Sequence, residues 1–284
     1  MTLYRSLGAL LMAVSTSLLA ATDTVQPGPD ERNFSWTAGL GLASLSFPAY
    51  RGSKVRETLA LPVPVVSFTS RNFSLSRDGA KVDVFDSQRI HFNLSAAGSL
   101  PVDSDDVPLR DGMPDLNPSI ELGPALIVEL PCWRNWTCLQ ETQARGVVAS
   151  DFSQVDTIGW TLHPRINLRR NAPVTQRHRH EFEFTAGPVY ATRRYHEYFY
   201  AVPDEYATEQ RPAYQARSGF SGWRFSLTHV YKFGNIGIYS YAAYDNLRDS
   251  AFVDSPLLET KDYILGGIMM RWVLWGSDLS AAQP

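Results

Sequence analysis

Apolar and polar residues alternate with a period of two along most of this chain. Between Phe34 and Phe47 the even positions carry Phe34, Trp36, Ala38, Leu40 and Leu42, and the odd ones Ser35, Thr37, Gly39 and Gly41. Arg89–Ser99 sets Ile90, Phe92, Leu94 and Ala96 against Arg89, His91, Asn93 and Ser95. Ile120–Leu130, Thr157–Arg170, Glu181–Thr192 and Trp223–Phe233 repeat the scheme. Successive strand side chains point to opposite faces, so each run reads as a β-strand with one apolar and one polar face. Weaker runs at Thr58–Thr69, Phe73–Phe85, Ala144–Phe152, Ile236–Leu247 and Tyr263–Trp275 bring the number to eleven. Turn residues separate them: Ser70-Arg71-Asn72, Phe233-Gly234-Asn235, and a long Asp/Pro-rich loop from Pro101 to Pro118. No stretch of useful length has a helical period, so a single all-β domain is expected.

Alternation suits a soluble sandwich and a membrane barrel alike, and strand length separates them. Sandwich strands are most often about 5–6 residues long, whereas a membrane-crossing strand needs about 9–11. The best runs here have 11 to 14 residues. Phe34, Trp36, Trp223, Tyr231, Phe233, Trp272 and Trp275 lie near run ends, where the aromatic belts of a transmembrane barrel sit. The expected fold is therefore a transmembrane antiparallel up-and-down β-barrel over residues 34–275. Single-chain bacterial barrels use even strand numbers. Eleven runs thus point to twelve strands, with the missing one between Tyr195 and Ser218, and to ten as the runner-up. Counted from a periplasmic N-terminus, the Pro101–Pro118 loop falls on the same side as the termini.

Composition hides this pattern. The chain of 284 residues is 44 % hydrophobic with a mean hydropathy of −0.20, because the two faces of each strand cancel. That value excludes a polytopic helical membrane protein. A net charge of −3 leaves no basic footprint for nucleic acid. The only continuous apolar stretch, Leu7–Ala20, follows Arg5 and ends in small residues, which makes residues 1–20 a secretory signal peptide. A leader, 21–33, and a tail, 276–284, flank the barrel. Cys132 and Cys138 are the only thiols, and in an oxidising compartment they are expected to close a small disulfide ring. Half of a metal site is the rival reading, but no Cys-x-x-Cys or paired His stands beside them.

The polar faces carry the candidate chemistry. Glu121, Glu129, Glu181 and Glu183 would meet Arg165, Arg169, Arg224 and Lys232 across a narrow lumen, either as a plug of ion pairs or as the lining of a polar pore. His91 and His163 also fall on polar faces and motivate a lipid hydrolase as one reading, yet no Gly-x-Ser-x-Gly elbow occurs. His229 falls on an apolar face, which places it at an interface or forces a register break. His178-Arg179-His180 reads as a solvated loop edge before it reads as a metal site. Asp103, Asp105, Asp106, Asp111 and Asp115 form an acidic loop whose spacing fits no EF-hand, so a solvated, flexible loop is expected. No catalytic, cofactor or metal site is assigned.

Several segments resemble the MipA/OmpV family. They are Gly39-Leu40-Gly41-Leu42, Pro48-Ala49-Tyr50-Arg51-Gly52-Ser53, Leu61-Pro62-Val63-Pro64-Val65 and Gly112-Met113-Pro114-Asp115-Leu116. Tyr198-Phe199-Tyr200-Ala201-Val202 and Asp249–Leu257 come after them in the same order. The resemblance implies an outer-membrane β-barrel of a Gram-negative cell, in contact with outer-membrane lipid. It also implies a non-enzymatic scaffold whose partners are a lytic transglycosylase and a murein synthase. A small-solute channel is the alternative from the charged inner faces.

Overall fold

A computed structural model describes residues 34–70, 73–76, 79–87, 89–133, 135–151, 153–173 and 178–277. The signal peptide and leader expected at 1–33, and most of the tail, lie outside the described residues. The strands are β1 (Phe34–Pro48), β2 (Arg56–Ser70), β3 (Phe73–Ser76), β4 (Gly79–Asp86), β5 (Ile90–Ser99) and β6 (Ser119–Leu130). They continue as β7 (Thr137–Ser150), β8 (Val155–Pro173), β9 (His178–Ala191), β10 (Gly219–Phe233), β11 (Ile236–Asn246) and β12 (Asp262–Gly276). Each pairs antiparallel with its sequence neighbours, and β1 closes on β12 from Thr37↔Gly276 to Ser46↔Gly266. Closure leaves no free strand edge, so every ladder group can be satisfied inside the wall.

Twelve strands form, but the twelfth is not between Tyr195 and Ser218. That segment holds α1 (Arg193–Tyr200) and irregular chain. Tyr195–Phe199 and His196–Tyr200 are spaced four apart, which brings their rings together at steep angles on one helix, and Pro203 and Pro212 interrupt the chain beyond it. The additional strand comes from Phe73–Phe85, which is two strands: Ser76 pairs with Gly79 and Phe73 with Val82. The extra strand shifts the parity of everything after it. The 100–118 connection therefore lies at the end away from the termini, contrary to the count from eleven runs.

The two ends differ. At the terminal end β2–β3, β4–β5, β6–β7, β8–β9 and β10–β11 are joined by short turns. At the other end lie the long connections, 100–118, 192–218 and 247–261, beside 49–55. The wall is apolar outside: Leu40 and Leu42 are each 59 % exposed and Ile264 63 %. Trp160, Tyr190 and Trp223 face outward near the long-loop end, and Phe34, Trp36, Phe233, Trp272 and Trp275 near the terminal end. Trp223 and Phe233, ten residues apart on β10, are separated by about 25 Å at a rise of ~3.3 Å and a tilt of ~40°. That is the height of a transmembrane apolar band.

Candidate functional site

The inner wall carries most of the charged candidates. Glu121 on β6, Arg165 and Arg169 on β8, Glu181 and Glu183 on β9, and Arg224 and Lys232 on β10 all alternate inward. Arg169 pairs with Glu183 (3.1 Å) and Lys232 with Glu181 (3.1 Å). Glu129 is placed apart from them, exposed beside the 131–136 turn. Two further members come from β7, whose alternation is weak in sequence. Glu141, in the part of β7 ahead of the run that starts at Ala144, receives Arg165 through Nε (3.0 Å) and Nη2 (2.8 Å). It also accepts from Asn167 Nδ2 (2.8 Å) and Gln143 Nε2 (2.7 Å). Arg145 reaches Glu121 (3.6 Å) and Ser95 Oγ (3.1 Å).

The inner wall also carries an apolar group: Val230, Tyr239 and Met269, packed against Ala43 and Val63. The Arg271 guanidinium lies 5.0 Å from the centre of the Tyr239 ring. Val230 and Tyr239 are fully buried and Glu141 and Glu183 nearly so, while Arg169, Glu181 and Lys232 keep part of their surface exposed.

The long-loop mouth is built around Asp245, whose side chain has no exposure. Its carboxylate accepts from Arg224 Nε and Nη2 (2.7 Å each), from Arg51 Nε (2.9 Å) and from the Tyr263 hydroxyl (2.6 Å). Burial works against the Arg51 charge, but the Asp245 carboxylate outweighs it and holds that guanidinium above its ordinary pKa. Arg51 Nη1 also donates to Ser221 Oγ (3.0 Å). His196 on α1 is fully buried beside it. Its Nδ1 lies 2.6 Å from the Arg217 carbonyl, which only accepts, so Nδ1 carries the proton and Nε2 accepts from Ser221 Oγ at 3.1 Å. Burial lowers the His196 pKa, in keeping with a neutral ring.

An apolar lid covers this network. Tyr200 stacks on Phe252 with ring centres 3.7 Å apart, and Tyr50, Val107, Leu116, Leu247 and Tyr263 complete the cluster. Two glycines make the docking possible. Gly159 (φ +125°) forms a bulge in β8, where a Cβ would stand 2.8 Å from the Tyr195 nitrogen; Gly222 (φ +115°) does the same in β10 against the Asn246 carbonyl (2.6 Å). The 100–118 connection is folded, not an open acidic strap. Asp115 accepts from the Ser104 amide (2.8 Å), and buried Arg110 donates to the Pro114 carbonyl (2.9 Å) and Ser104 Oγ (3.1 Å). Backbone carbonyls, which the sequence pattern does not display, supply the counter-groups. Among the described residues no cluster of three His, Cys, Asp or Glu side chains is placed to hold a metal.

His91 lies on the inner wall, as does His163, whose Nε2 is buried without a hydrogen-bond partner. The Ser221–His196 pair has the polarity of a nucleophile and its base, but neither residue is exposed. His229 faces outward, and β10 pairs with β9 and β11 without a break there. His178 and His180 are not a loop edge: they begin β9 and face the same outer wall. His180 Nδ1 lies 2.9 Å from His229 Nε2, and His178 Nδ1 lies 2.6 Å from the Tyr231 hydroxyl. Cys132 and Cys138 are disulfide-bonded with Cα atoms 5.6 Å apart. Cys138 lies in β7, so the bond ties the 131–136 turn to the wall.

The model of the family described as MltA-interacting protein MipA matches residues 40–274. No curated protein matches the chain by sequence. Among solved structures, the outer membrane protease OmpT from Escherichia coli is similar at 10 % identity and a TM-score of 0.32, over 86 % of this chain and 97 % of that one. A Pseudomonas aeruginosa FadL homologue matches at 7 % identity and a TM-score of 0.29, over 84 % and 88 %. Pseudomonas aeruginosa OccK8 (OprE) matches at 8 % and 0.23, over 74 % and 68 %. At these scores nothing is carried from those three proteins to this chain.

Proposed function

The chain belongs to the MipA family, and from that premise we propose that it is a closed, non-enzymatic outer-membrane barrel serving as a scaffold for peptidoglycan-remodelling proteins. The observation that carries the reading is the occupied inner wall: paired charges and the Tyr239 cluster line its lower part, and a packed loop cluster covers the mouth. A barrel so occupied offers its outer wall and its end surfaces for work, and its lumen very little.

Short turns and both chain ends characterise the periplasmic side of such barrels, and long connections the outside. This orients the short-turn end, with its 131–136 and 234–235 turns, toward the periplasm, where a murein enzyme would meet it. The family's name specifies an interaction with MltA. A lytic transglycosylase is therefore the first partner proposed here, with a murein synthase as the second. Export through a cleaved signal peptide belongs to the same reading.

Crosslinking in intact envelopes, with identification of the captured proteins, tests it. Capture of a lytic transglycosylase through residues of the short turns is the expected result. Capture of no peptidoglycan enzyme would overturn the scaffold role and leave the barrel untouched.

A further inference from the structure

The outer wall carries a groove near the terminal end, with a volume of about 460 Å³, lined by Trp136, Arg170, Ala172, Phe182, Phe184 and Leu227. Its floor is the outward faces of β8, β9 and β10. Its side is Trp136, which arrives from the disulfide-tied 131–136 turn and lies against Arg170, with the guanidinium 5.6 Å from the ring centre. Toward the turns the apolar floor continues as stacked rings: Phe182 lies 4.6 Å from His229, and His229 lies 5.2 Å from His180. The groove is thus apolar toward the middle of the wall and polar and cationic toward its rim.

Arg170 sits three residues from the end of β8. An outward arginine is costly at mid-bilayer and tolerated near the interface. This depth is that of lipid headgroups, while Phe184 and Leu227 lie deeper, at the level of acyl chains. The volume falls in the range of small-molecule sites, about 300–1,000 Å³. We propose that this groove is a binding site for one anionic phospholipid of the periplasmic leaflet, with an acyl chain along Phe182, Phe184 and Leu227 and the phosphate against Arg170 and the Trp136 rim. The charge selects the headgroup: Arg170 makes no ion pair with a described residue, and a guanidinium presents parallel donors to phosphate oxygens. Such a site requires the membrane-spanning wall proposed above and rests on that reading.

The test reconstitutes the full chain in vesicles with equal parts phosphatidylglycerol and phosphatidylcholine of identical acyl chains, extracts it in mild detergent and reads retained lipid by native mass spectrometry. Phosphatidylglycerol should be retained about fivefold over phosphatidylcholine, which is what one interfacial arginine is worth. Arg170→Gln should bring the two to parity, and Leu227→Trp, which fills the floor, should reduce retention of both. Arg89→Gln removes an exposed charge at the same end of the barrel but outside the groove, and should leave the preference intact. Each variant's folding is verified by its heat-dependent gel mobility. Equal retention by the unmodified chain, or a preference that survives Arg170→Gln, overturns the site while leaving the barrel's insertion intact. Failure to insert into vesicles at all overturns the membrane reading, and the site with it.

Discussion

Asp245, its own side chain without exposure, gathers two arginines and a tyrosine. Removing one member of a buried ion pair strands the others, which typically costs about 3–5 kcal/mol. Asp245→Ala should therefore lower the temperature of the heat-dependent gel shift sharply, and Asp245→Asn should recover part of the loss through its hydrogen bonds. A loss below about 1 kcal/mol would mean that water replaces the carboxylate and that the mouth is loosely packed. His196 makes a separate, pH-dependent contribution. Its folded pKa is lowered by burial, so the unfolded chain takes up a proton that the folded one refuses. Stability from the neutral ring is full above the ordinary histidine pKa of about 6.5 and is lost as pH falls below it. Between pH 7 and 5 the native barrel should lose more thermal stability than His196→Gln, and parallel slopes would contradict this. Neither residue is readable as a site from sequence. Arg165, Arg224 and Lys232 stand out there because each lies between apolar neighbours in a clear alternation. Asp245 and Glu141 lie in runs whose inward faces mix Tyr, Ala, Gln and Gly, so the alternation carries little contrast. His196 lies on a helix eight residues long, below the length at which a period of 3.6 can be recognised.

At the scale of elements, the wall is legible in the sequence and its connections are not. Period two follows from the geometry of a strand between lipid and a polar lumen, and it places β1, β5, β8, β9 and β10 to within a few residues. A strand of four residues such as β3 carries too few positions to show a period, so β3 and β4 read as one run. The cap depends on Gly159, whose φ of +125° disfavours any side chain. Gly159→Ala should cost about 1–3 kcal/mol, and the cost should fall on the cap. Amide exchange within 193–218 should rise while β9 and β10 stay protected, and protection unchanged at 193–218 would refute the docking role of the bulge. The Cys132–Cys138 ring is a second local clamp. Its loop is short, so Cys132→Ser with Cys138→Ser should cost toward the low end of about 2–4 kcal/mol. The visible effect should be a freer Trp136, seen as a red-shifted, more quenchable tryptophan emission, with the barrel's gel shift retained.

At the scale of the molecule, the lumen has two obstructions in series. The upper one is the lid over the Asp245 network. The lower one is the band formed by the Glu141–Arg165 charges and the buried Tyr239 cluster on the inner wall. Charged inner faces alone fit a porin equally well, which is why sequence leaves the channel reading open. The ion pairs join neighbouring strands along the wall, and which partners meet is set by register, to which a single chain's alternation is blind. Series obstruction has a measurable signature in planar bilayers. The intact barrel should pass no steady current. Replacing residues 193–217 by a short Gly-Ser link removes α1 and half of the lid, yet the lower obstruction should keep conductance close to the baseline. Substituting Glu141→Ala, Arg165→Ala and Tyr239→Ala together, with the lid in place, should likewise leave the pore shut. Only the combination should conduct steadily. A large steady current from the unmodified chain would transfer the protein to the small-solute channel class, and conduction on removal of either obstruction alone would show that the other does not close the bore.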